Sequence, residues 1–285
     1  MSATRCLFVS DLHGRELRYR RLIEVVESDR PAAVFVGGDL LPPMTGRAAS
    51  GRDFLSRHLI AALDRLRASM AEAFPSVFVI MGNDDARSEE GVLQEADERG
   101  LLHYIHGRRV TCAGFDVYGY ACVPPTPFRL KDWDRYDVSR YVEPGCVSPE
   151  EGWRSIHADA REQRRATIKE DLDRLAGTAP LERAVFLFHT PPYRTRLDRA
   201  ALDGMTVDGA PMDVHVGSVA VRRFIESRQP FLTLHGHIHE SARLTGAWQD
   251  RIGRTQLLSA AHDGPELALI RFDLEWPANA VRELL

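Results

Sequence analysis

The sequence predicts an α/β fold, and three observations support this class. Short apolar runs rich in Val, Ile and Phe alternate with amphipathic stretches of helical spacing in the first hundred residues. Glycine and polar residues follow most of these runs, as they do where ligands bind beyond the carboxyl ends of strands. A chain of 285 residues, 44% hydrophobic and 27% charged, is long enough for one large core and ordinary for a globular protein.

The first third of the chain predicts strands and helices in strict alternation. The apolar residues of each helix recur at helical spacing on one face, and Pro75 ends the second helix. The predicted elements are a strand at 6–10, a helix at 16–28, a strand at 32–36, a helix at 52–74 and a strand at 77–81.

After residue 101 the pattern is less regular. The predicted elements are a hairpin at 110–120, a helix at 156–175, a strand at 184–188, a helix at 219–227 capped by Ser218, and strands at 231–234, 256–259 and 267–274. The last ten residues are expected to form a surface strap. Neither a repeat nor a linker separates two domains, so we expect a single domain over residues 1–285, with a cap or insert at about 121–178.

Charge and cysteine usage exclude several classes of protein. The formal net charge of −4 argues against a protein that grips nucleic acid by bulk electrostatics. The four cysteines show no Cys-x-x-Cys spacing and no disulfide framework. The N-terminus lacks a signal-peptide layout, and no apolar run approaches the ~20 residues of a membrane span. We therefore expect a soluble cytoplasmic protein, while its oligomeric state is not predicted by these residues.

Five short motifs place metal-ligating residue types directly after apolar runs. They are Ser10-Asp11-Leu12-His13-Gly14, Gly38-Asp39, Gly82-Asn83-Asp84-Asp85, Phe188-His189-Thr190-Pro191-Pro192 and Gly236-His237-Ile238-His239. Several strands would thereby bring carboxylate, amide and imidazole side chains to one sheet edge. This donor set suits a two-metal hydrolytic centre, in which one carboxylate bridges two cations that share a hydroxide.

Each motif alone also has a structural explanation. Asp11 or Asp39 could cap a helix, and His189 could be a hydrogen-bonded core histidine. Asn83 after glycine could be only a turn residue. His237 and its neighbour two residues on would point to the same side of a strand, which is common at a surface. The occurrence of all five motifs in order favours the metal centre.

This ordered set, Asp-x-His, Gly-Asp, Gly-Asn, His and Gly-His-x-His, resembles the calcineurin-like metallophosphoesterase family from about residue 4 to 275. The resemblance implies the metallo-dependent phosphatase fold, a four-layer α/β/β/α sandwich of two mixed sheets flanked by helices. It also implies two metal ions, bridged by Asp39. One would be held by Asp11, His13, Asp39 and His239, and the other by Asp39, Asn83, His189 and His237. The mixed nitrogen and oxygen donors suit Mn, Fe, Zn or Ni.

Two departures from the family pattern bear on the reaction. Many relatives have a histidine after Gly-Asn as the proposed general acid, but this chain has Asp84. A carboxyl group of ordinary pKa near ~3.9, lowered further by two cations, would be ionised and a poor proton donor. The residues after Gly38-Asp39 also lack the Asp-Arg-Gly segment with which related protein phosphatases grip a phosphomonoester.

The opening motif and the Phe-His-Thr-Pro-Pro-Tyr stretch are instead similar to bacterial and archaeal phosphodiesterase-like members. We therefore expect a phosphodiesterase that uses a metal-bridging hydroxide as nucleophile on a small phosphoester, including a nucleotide. Asp84 and His215 are the candidate catalytic residues, and Asn83 and Tyr193 are expected to contact the substrate.

Three alternatives stay open at this point. The chain could be a phosphomonoesterase or nucleotide phosphatase, or a non-catalytic scaffold of the same fold. The aromatic residues of the insert could stack on a nucleobase or merely pack a cap. These aromatic residues are Trp133, Tyr136, Tyr141 and Trp153.

Overall fold

The structure is a computed structural model that describes residues 4–42 and 51–285. The strands in this part of the chain are β1 Arg5–Val9, β2 Ala33–Gly37, β3 Ser76–Ile80, β4 His103–Tyr104, β5 Arg109–Cys112, β6 Phe115–Tyr120, β7 Ala184–Phe188, β8 Thr206–Val207, β9 Ala210–Pro211, β10 Leu232–His235, β11 Gln249–Ile252, β12 Thr255–Ser259, β13 Ala268–Asp273 and β14 Val281–Leu284. The α-helices are α1 Glu16–Asp29, α2 Gly51–Leu55, α3 Ala61–Met70, α4 Glu90–Glu98, α5 Ala160–Arg165, α6 Ile168–Ala176, α7 Val219–Arg228 and α8 Ser241–Thr245.

Two mixed six-stranded sheets form the centre of the molecule. The first has the order β14-β13-β1-β2-β3-β4. Strands β1 to β4 are parallel to one another, whereas β13 is antiparallel to both of its neighbours, β1 and β14. The second has the order β11-β12-β10-β7-β6-β5, with parallel inner strands and an antiparallel strand at each edge. Strand β2 lies against β7, and β3 lies against β6. The predicted α/β class and the fold of two mixed sheets flanked by helices are confirmed.

The central strands form because their β-branched and aromatic side chains are buried on both faces. Strands β2 and β7 are buried along their whole length. The rings of Phe35 and Phe78 stack at 5.2 Å in one sheet, and those of Tyr118 and Phe186 stack at 4.5 Å in the other. This core makes a rigid support for the loops that follow the strands. Those loops carry the predicted ligands after β1, β2, β3, β7 and β10.

Two predicted elements were wrong. A single helix was predicted at 156–175, but Thr167 is extended (φ −123°, ψ 150°) and separates α5 from α6. Its hydroxyl accepts a hydrogen bond from the Glu170 amide, and its backbone bridges to Tyr136, so a cap and a tertiary contact interrupt the helical pattern. The last ten residues were predicted to be a strap, but β14 pairs antiparallel with β13 at the edge of the first sheet.

Other predicted elements agree with the structure within a residue or two. Helix 52–74 corresponds to helical backbone from α2 to a 3-10 turn at Ala71–Ala73, with a π-helical segment at Ser56–Ile60. Ser218 caps α7 as predicted, since its side chain accepts a hydrogen bond from the Val221 amide. Helix α4 had no counterpart in the sequence analysis. None of the described helices is long and apolar enough to cross a membrane.

The segment after β6 is largely irregular but well anchored. Trp133 is fully buried and donates a hydrogen bond from Nε1 to the Asp85 carbonyl at 2.8 Å. Tyr136 is also buried, so these two aromatic residues pack, whereas Tyr141 and Trp153 are exposed. The prediction that residues 121–178 form a cap or insert within a single domain stays a prediction.

Candidate metal centre

Four of the predicted ligands have a left-handed backbone that non-glycine residues seldom adopt. The φ angles are 57° at Asp11, 46° at His13, 51° at Asp39 and 74° at His237. Such conformations are unfavourable by about 1–3 kcal/mol each and cluster at functional sites. They let the chain turn sharply in the loops after β1, β2 and β10, where these residues lie.

The first group of donors consists of Asp11, His13, Asp39 and His239. One donor atom of each lies within 4.8 Å of the others. The Nε2 atoms of His13 and His239 are 2.9 Å apart, and Asp11 Oδ1 is 3.3 Å from the latter nitrogen. This group matches the four ligands predicted for one metal.

The second group forms around the same aspartate. Asp39 Oδ2 lies 3.3 Å from His189 Nε2, and that nitrogen is 3.1 Å from Asn83 Oδ1. The ring of His237 lies beside that of His189, with 5.1 Å between centroids. Asp39 Oδ2 is also 3.7 Å from His13 Nε2 in the first group. Asp39 therefore stands between the two groups, where a bridging ligand would have to be.

A cation would fit this arrangement of donors. Asp11 Oδ2 is buried and has no hydrogen-bond partner among the described residues, which is unfavourable for a carboxylate oxygen unless an ion compensates it. The imidazole, carboxylate and amide donors, without thiolate, are ligands of transition metals. His189 Nδ1 lies 2.8 Å from the Gly37 carbonyl, which orients Nε2 toward Asp39.

The charges of these groups keep the carboxylates ionised in the metal-free protein. Burial raises the pKa of Asp11, but the hydrogen bond and charge of His239 outweigh it and hold the pKa at about 2. For Asp39, burial is likewise outweighed by His189, and the pKa lies well below its ordinary value. Burial also lowers the pKa of His237 to about 3, which keeps a lone pair on its ring for a cation.

Asp84 lies at the mouth of the site. Its Oδ2 is 3.7 Å from His13 Nδ1, and its Oδ1 accepts a hydrogen bond from Asn83 Nδ2 at 2.8 Å. Its backbone amide donates to Asp39 Oδ1 at 2.9 Å. Burial, and then the charge of Asp39, raise the pKa of Asp84 to about 7 in the metal-free protein. Bound cations would act in the opposite direction.

His215 and Tyr193 line the cleft outside the donor groups. His215 Nδ1 is 2.9 Å from Asp198 Oδ1, so one of its ring nitrogens is already engaged. The Tyr193 hydroxyl donates to Asp213 Oδ2 at 2.5 Å. Both residues share the cleft with Asp39, but no direct bond joins them to the donors in the described part of the chain.

Two supporting residues were missed in the sequence analysis. The buried carboxylate of Asp85 accepts backbone hydrogen bonds from Leu40, Leu41 and Gly82, which ties the Asp39 loop to the Asn83 loop. The buried guanidinium of Arg18 donates to the carbonyl oxygen of Asp11. Asp85 could have been suspected, because it directly follows the Asn83-Asp84 pair. Nothing in the sequence around Arg18 marks it.

Glycine is required where the loops approach the ligands. A Cβ at Gly82 would lie 2.2 Å from Asp39 Oδ1, and one at Gly236 would lie 2.0 Å from Ser10 Oγ. Both distances are far below van der Waals contact. The glycines in these motifs therefore allow the two loops to close on the carboxylates.

Comparisons with known proteins agree with this geometry. The sequence model of the calcineurin-like phosphoesterase family matches residues 4–241. The structure of TT1561 from Thermus thermophilus is similar, with a TM-score of 0.58 and 18% identity over 99% of both chains. A dimetal phosphatase from Danio rerio has a TM-score of 0.54 and 13% identity, over 99% of this chain and 96% of that chain. Both identities are low, so these structures show similarity of fold alone. No curated protein sequence matches significantly.

Proposed function

Because this chain belongs to the calcineurin-like phosphoesterase family, we propose that it is a phosphodiesterase with a two-metal centre. Membership of the family implies a phosphoric ester hydrolase. The observation that carries the proposal is the position of Asp39, whose Oδ2 faces His189 at 3.3 Å and His13 at 3.7 Å. One carboxylate between two groups of nitrogen and oxygen donors suits a pair of cations. Mn, Fe, Zn and Ni all suit these donors.

The residues of the chain would act by holding the ligands and the substrate in place. Two cations held by these residues would supply Lewis acidity, which lowers the pKa of a water molecule and neutralises phosphoryl charge. Asp85 fixes the loop of Asp39 through its three backbone hydrogen bonds. Asn83 and Asp84 lie at the mouth of the cleft, where the phosphoryl group would enter. Tyr193 lines the same cleft and is proposed to contact the substrate.

Charge favours a diester over a monoester. A phosphodiester carries one negative charge near neutral pH, whereas a monoester carries nearly two. The described residues that line the cleft include neither lysine nor arginine, and they include Asp84, Glu143 and Asp213. Phosphoryl charge that two bound cations leave uncompensated would be repelled by these carboxylates, and a dianion would leave more of it than a monoanion. The missing Asp-Arg-Gly segment points in the same direction.

Metal analysis combined with paired kinetics tests this proposal. We expect two metal equivalents per chain in protein loaded with Mn, and faster hydrolysis of bis(p-nitrophenyl) phosphate than of p-nitrophenyl phosphate. Asp39→Asn should remove at least one metal equivalent and abolish turnover, while Asp208→Asn, at an exposed turn, should change neither. Full activity after chelation would contradict the proposal. A faster monoester would favour the phosphatase alternative, and two metals without hydrolysis would favour the scaffold.

A further inference from the structure

The metal centre opens into a cleft whose far wall is apolar. The cleft has a volume of about 460 Å³ and continues from Asp39 and His237 to a wall of prolines, aliphatic side chains and aromatic rings. Phe128 and Tyr141 lie on this wall with 54% and 63% of their surface exposed. Ligand pockets are lined predominantly by apolar and aromatic side chains, with a few polar groups that orient the ligand.

The wall is held in place by buried polar contacts. Lys131 is fully buried, and its Nζ donates to the Thr126 carbonyl at 2.8 Å and to Asp134 Oδ2 at 2.5 Å. The Thr126 amide also donates to Asp134 Oδ2 at 2.7 Å. Thr126 stands between Pro125 and Pro127, whose rings limit the backbone further. The segment that presents Phe128 is therefore ordered before a ligand arrives, which lowers the entropy lost on binding.

The charges of the cleft restrict what this wall could accept. None of its described lining residues is lysine or arginine, whereas Glu143, Asp213 and Glu240 are carboxylates. A second phosphate or a carboxylate on the substrate would find no cationic partner and would be repelled. A neutral apolar group would be repelled by nothing and would gain from leaving water.

We propose that this cleft binds a phosphodiester with one bulky, apolar and uncharged ester group. The phosphodiester group would then carry the only charge of the substrate. The inference rests on the proposed phosphodiesterase activity and names the substrate class of that site. Water would add to phosphorus, the bond from phosphorus to one ester oxygen would break, and the products are a phosphomonoester and an alcohol. The apolar group is either an alkyl chain or an aryl ring.

A series of p-nitrophenyl phosphodiesters tests the proposal, with methyl, hexyl, phenyl or 2-phosphoethyl as the second ester group. Each methylene that leaves water strengthens binding roughly fourfold. We expect kcat/KM to rise by about tenfold or more from methyl to hexyl or phenyl, and to fall for 2-phosphoethyl. A larger gain with hexyl assigns the wall to an alkyl chain, and a larger gain with phenyl assigns it to a ring.

The double variant Phe128→Ser/Tyr141→Ser should reduce the ratio of the hexyl or phenyl rate to the methyl rate toward one. Trp276→Ser is the matched control, because Trp276 is 67% exposed and lies outside the cleft lining. It should leave the ratio unchanged. Equal rates for the methyl, hexyl and phenyl esters would overturn this inference while leaving the phosphodiesterase intact. Failure to cleave the methyl ester as well would overturn the proposed function itself.

Discussion

His13 and His239 turn their Nε2 atoms toward each other at 2.9 Å, although 226 residues separate them in the chain. Two neutral imidazoles in this position can share only one hydrogen bond, and Asp11 Oδ1 lies 3.3 Å from the same nitrogen of His239. A cation placed among the three groups would accept all their lone pairs together. The pair therefore brings residues from distant parts of the sequence into one site.

Replacing Asp39 should be the most damaging change of a single ligand. Its carboxylate serves both donor groups, so Asp39→Ala should remove at least one metal equivalent and all detectable turnover, as measured by elemental analysis and hydrolysis of an aryl diester. Asn83→Ala removes a neutral ligand from one group only. We expect its defect to be milder and partly restored by excess metal. An Asp39→Ala protein with two metals and a normal rate would show that Asp39 does not bridge.

Asp84 should make the rate depend steeply on the leaving group. If its carboxylate is ionised beside two cations, no strong side-chain acid stands at the leaving oxygen, and general acid help is typically worth about 10²–10⁴-fold. Aryl diesters should then be cleaved much faster than alkyl diesters across a series of leaving-group pKa. Asp84→His should flatten this dependence by helping the alkyl esters.

The opposite result is also informative for Asp84. A shallow dependence in the parent protein that becomes steep in Asp84→Ala would mean that Asp84 is itself the acid. Its pKa of about 7 in the metal-free protein would then persist in the metal-loaded protein.

Gly82→Ala should disrupt the centre although alanine is small. The new Cβ would lie 2.2 Å from Asp39 Oδ1 and 2.6 Å from His189 Cε1, so the loop must move. We expect weaker metal binding in a chelator competition and a free energy of unfolding lower by roughly 1–3 kcal/mol. Gly91→Ala is the matched control, since a Cβ there meets nothing within 4 Å and Gly91 is helical. That change should stabilise the protein by roughly 0.5–1 kcal/mol. Identical metal affinity in the two variants would count against the close approach.

His106 should make the protein less stable in acid. Its Nδ1 accepts a hydrogen bond from the Ala121 amide at 3.0 Å, and burial, then Arg87 and Arg135, lower its pKa to about 3. The unfolded chain has the ordinary value near ~6.5, so below that pH the unfolded state binds one more proton than the folded state. The free energy of unfolding should fall as pH drops from 6.5 toward 3, by up to about 1.4 kcal/mol per pH unit.

The variant His106→Asn isolates this effect, because its side-chain oxygen can accept the same hydrogen bond without titrating. Urea unfolding at pH 6.5 and pH 5 should show a loss for the parent that exceeds the loss for the variant by about 1–2 kcal/mol. Parallel curves for the two proteins would mean that His106 is not held neutral by the fold.

The sequence predicted those parts of the fold that local pattern determines. The runs that became β2 and β7 are continuous and apolar, and motif order placed Asp39 and His189 at their ends. The break at Thr167 depends on a contact with Tyr136, which lies 31 positions earlier in the chain, and no local pattern reports such a partner. Edge strand β14 is exposed and only half apolar, so its own residues do not predict that it pairs with β13.

At the site, too, the sequence predicts what depends on residue type and not what depends on contacts in the folded chain. Residue types that bind metals are few, so the donors could be recognised as a set. The side chains of Asp85 and Arg18 bond to backbone atoms, which every residue has. Which backbone atoms they meet depends on how the loops fold, so a sequence pattern does not reveal these contacts. The apolar wall around Phe128 comes from segments without periodic pattern, so its position could not be predicted from the sequence.

The left-handed backbone at the four ligands makes the site compact but lowers the stability of the fold. Asp11, His13, Asp39 and His237 each hold an unfavourable φ angle that glycine would adopt without strain. Glycine at Asp11 or Asp39 would relieve this strain but would remove a metal donor and leave the backbone amides of His237 or Asp84 without their carboxylate acceptor. The strain is therefore a cost in folding free energy that bound cations would offset.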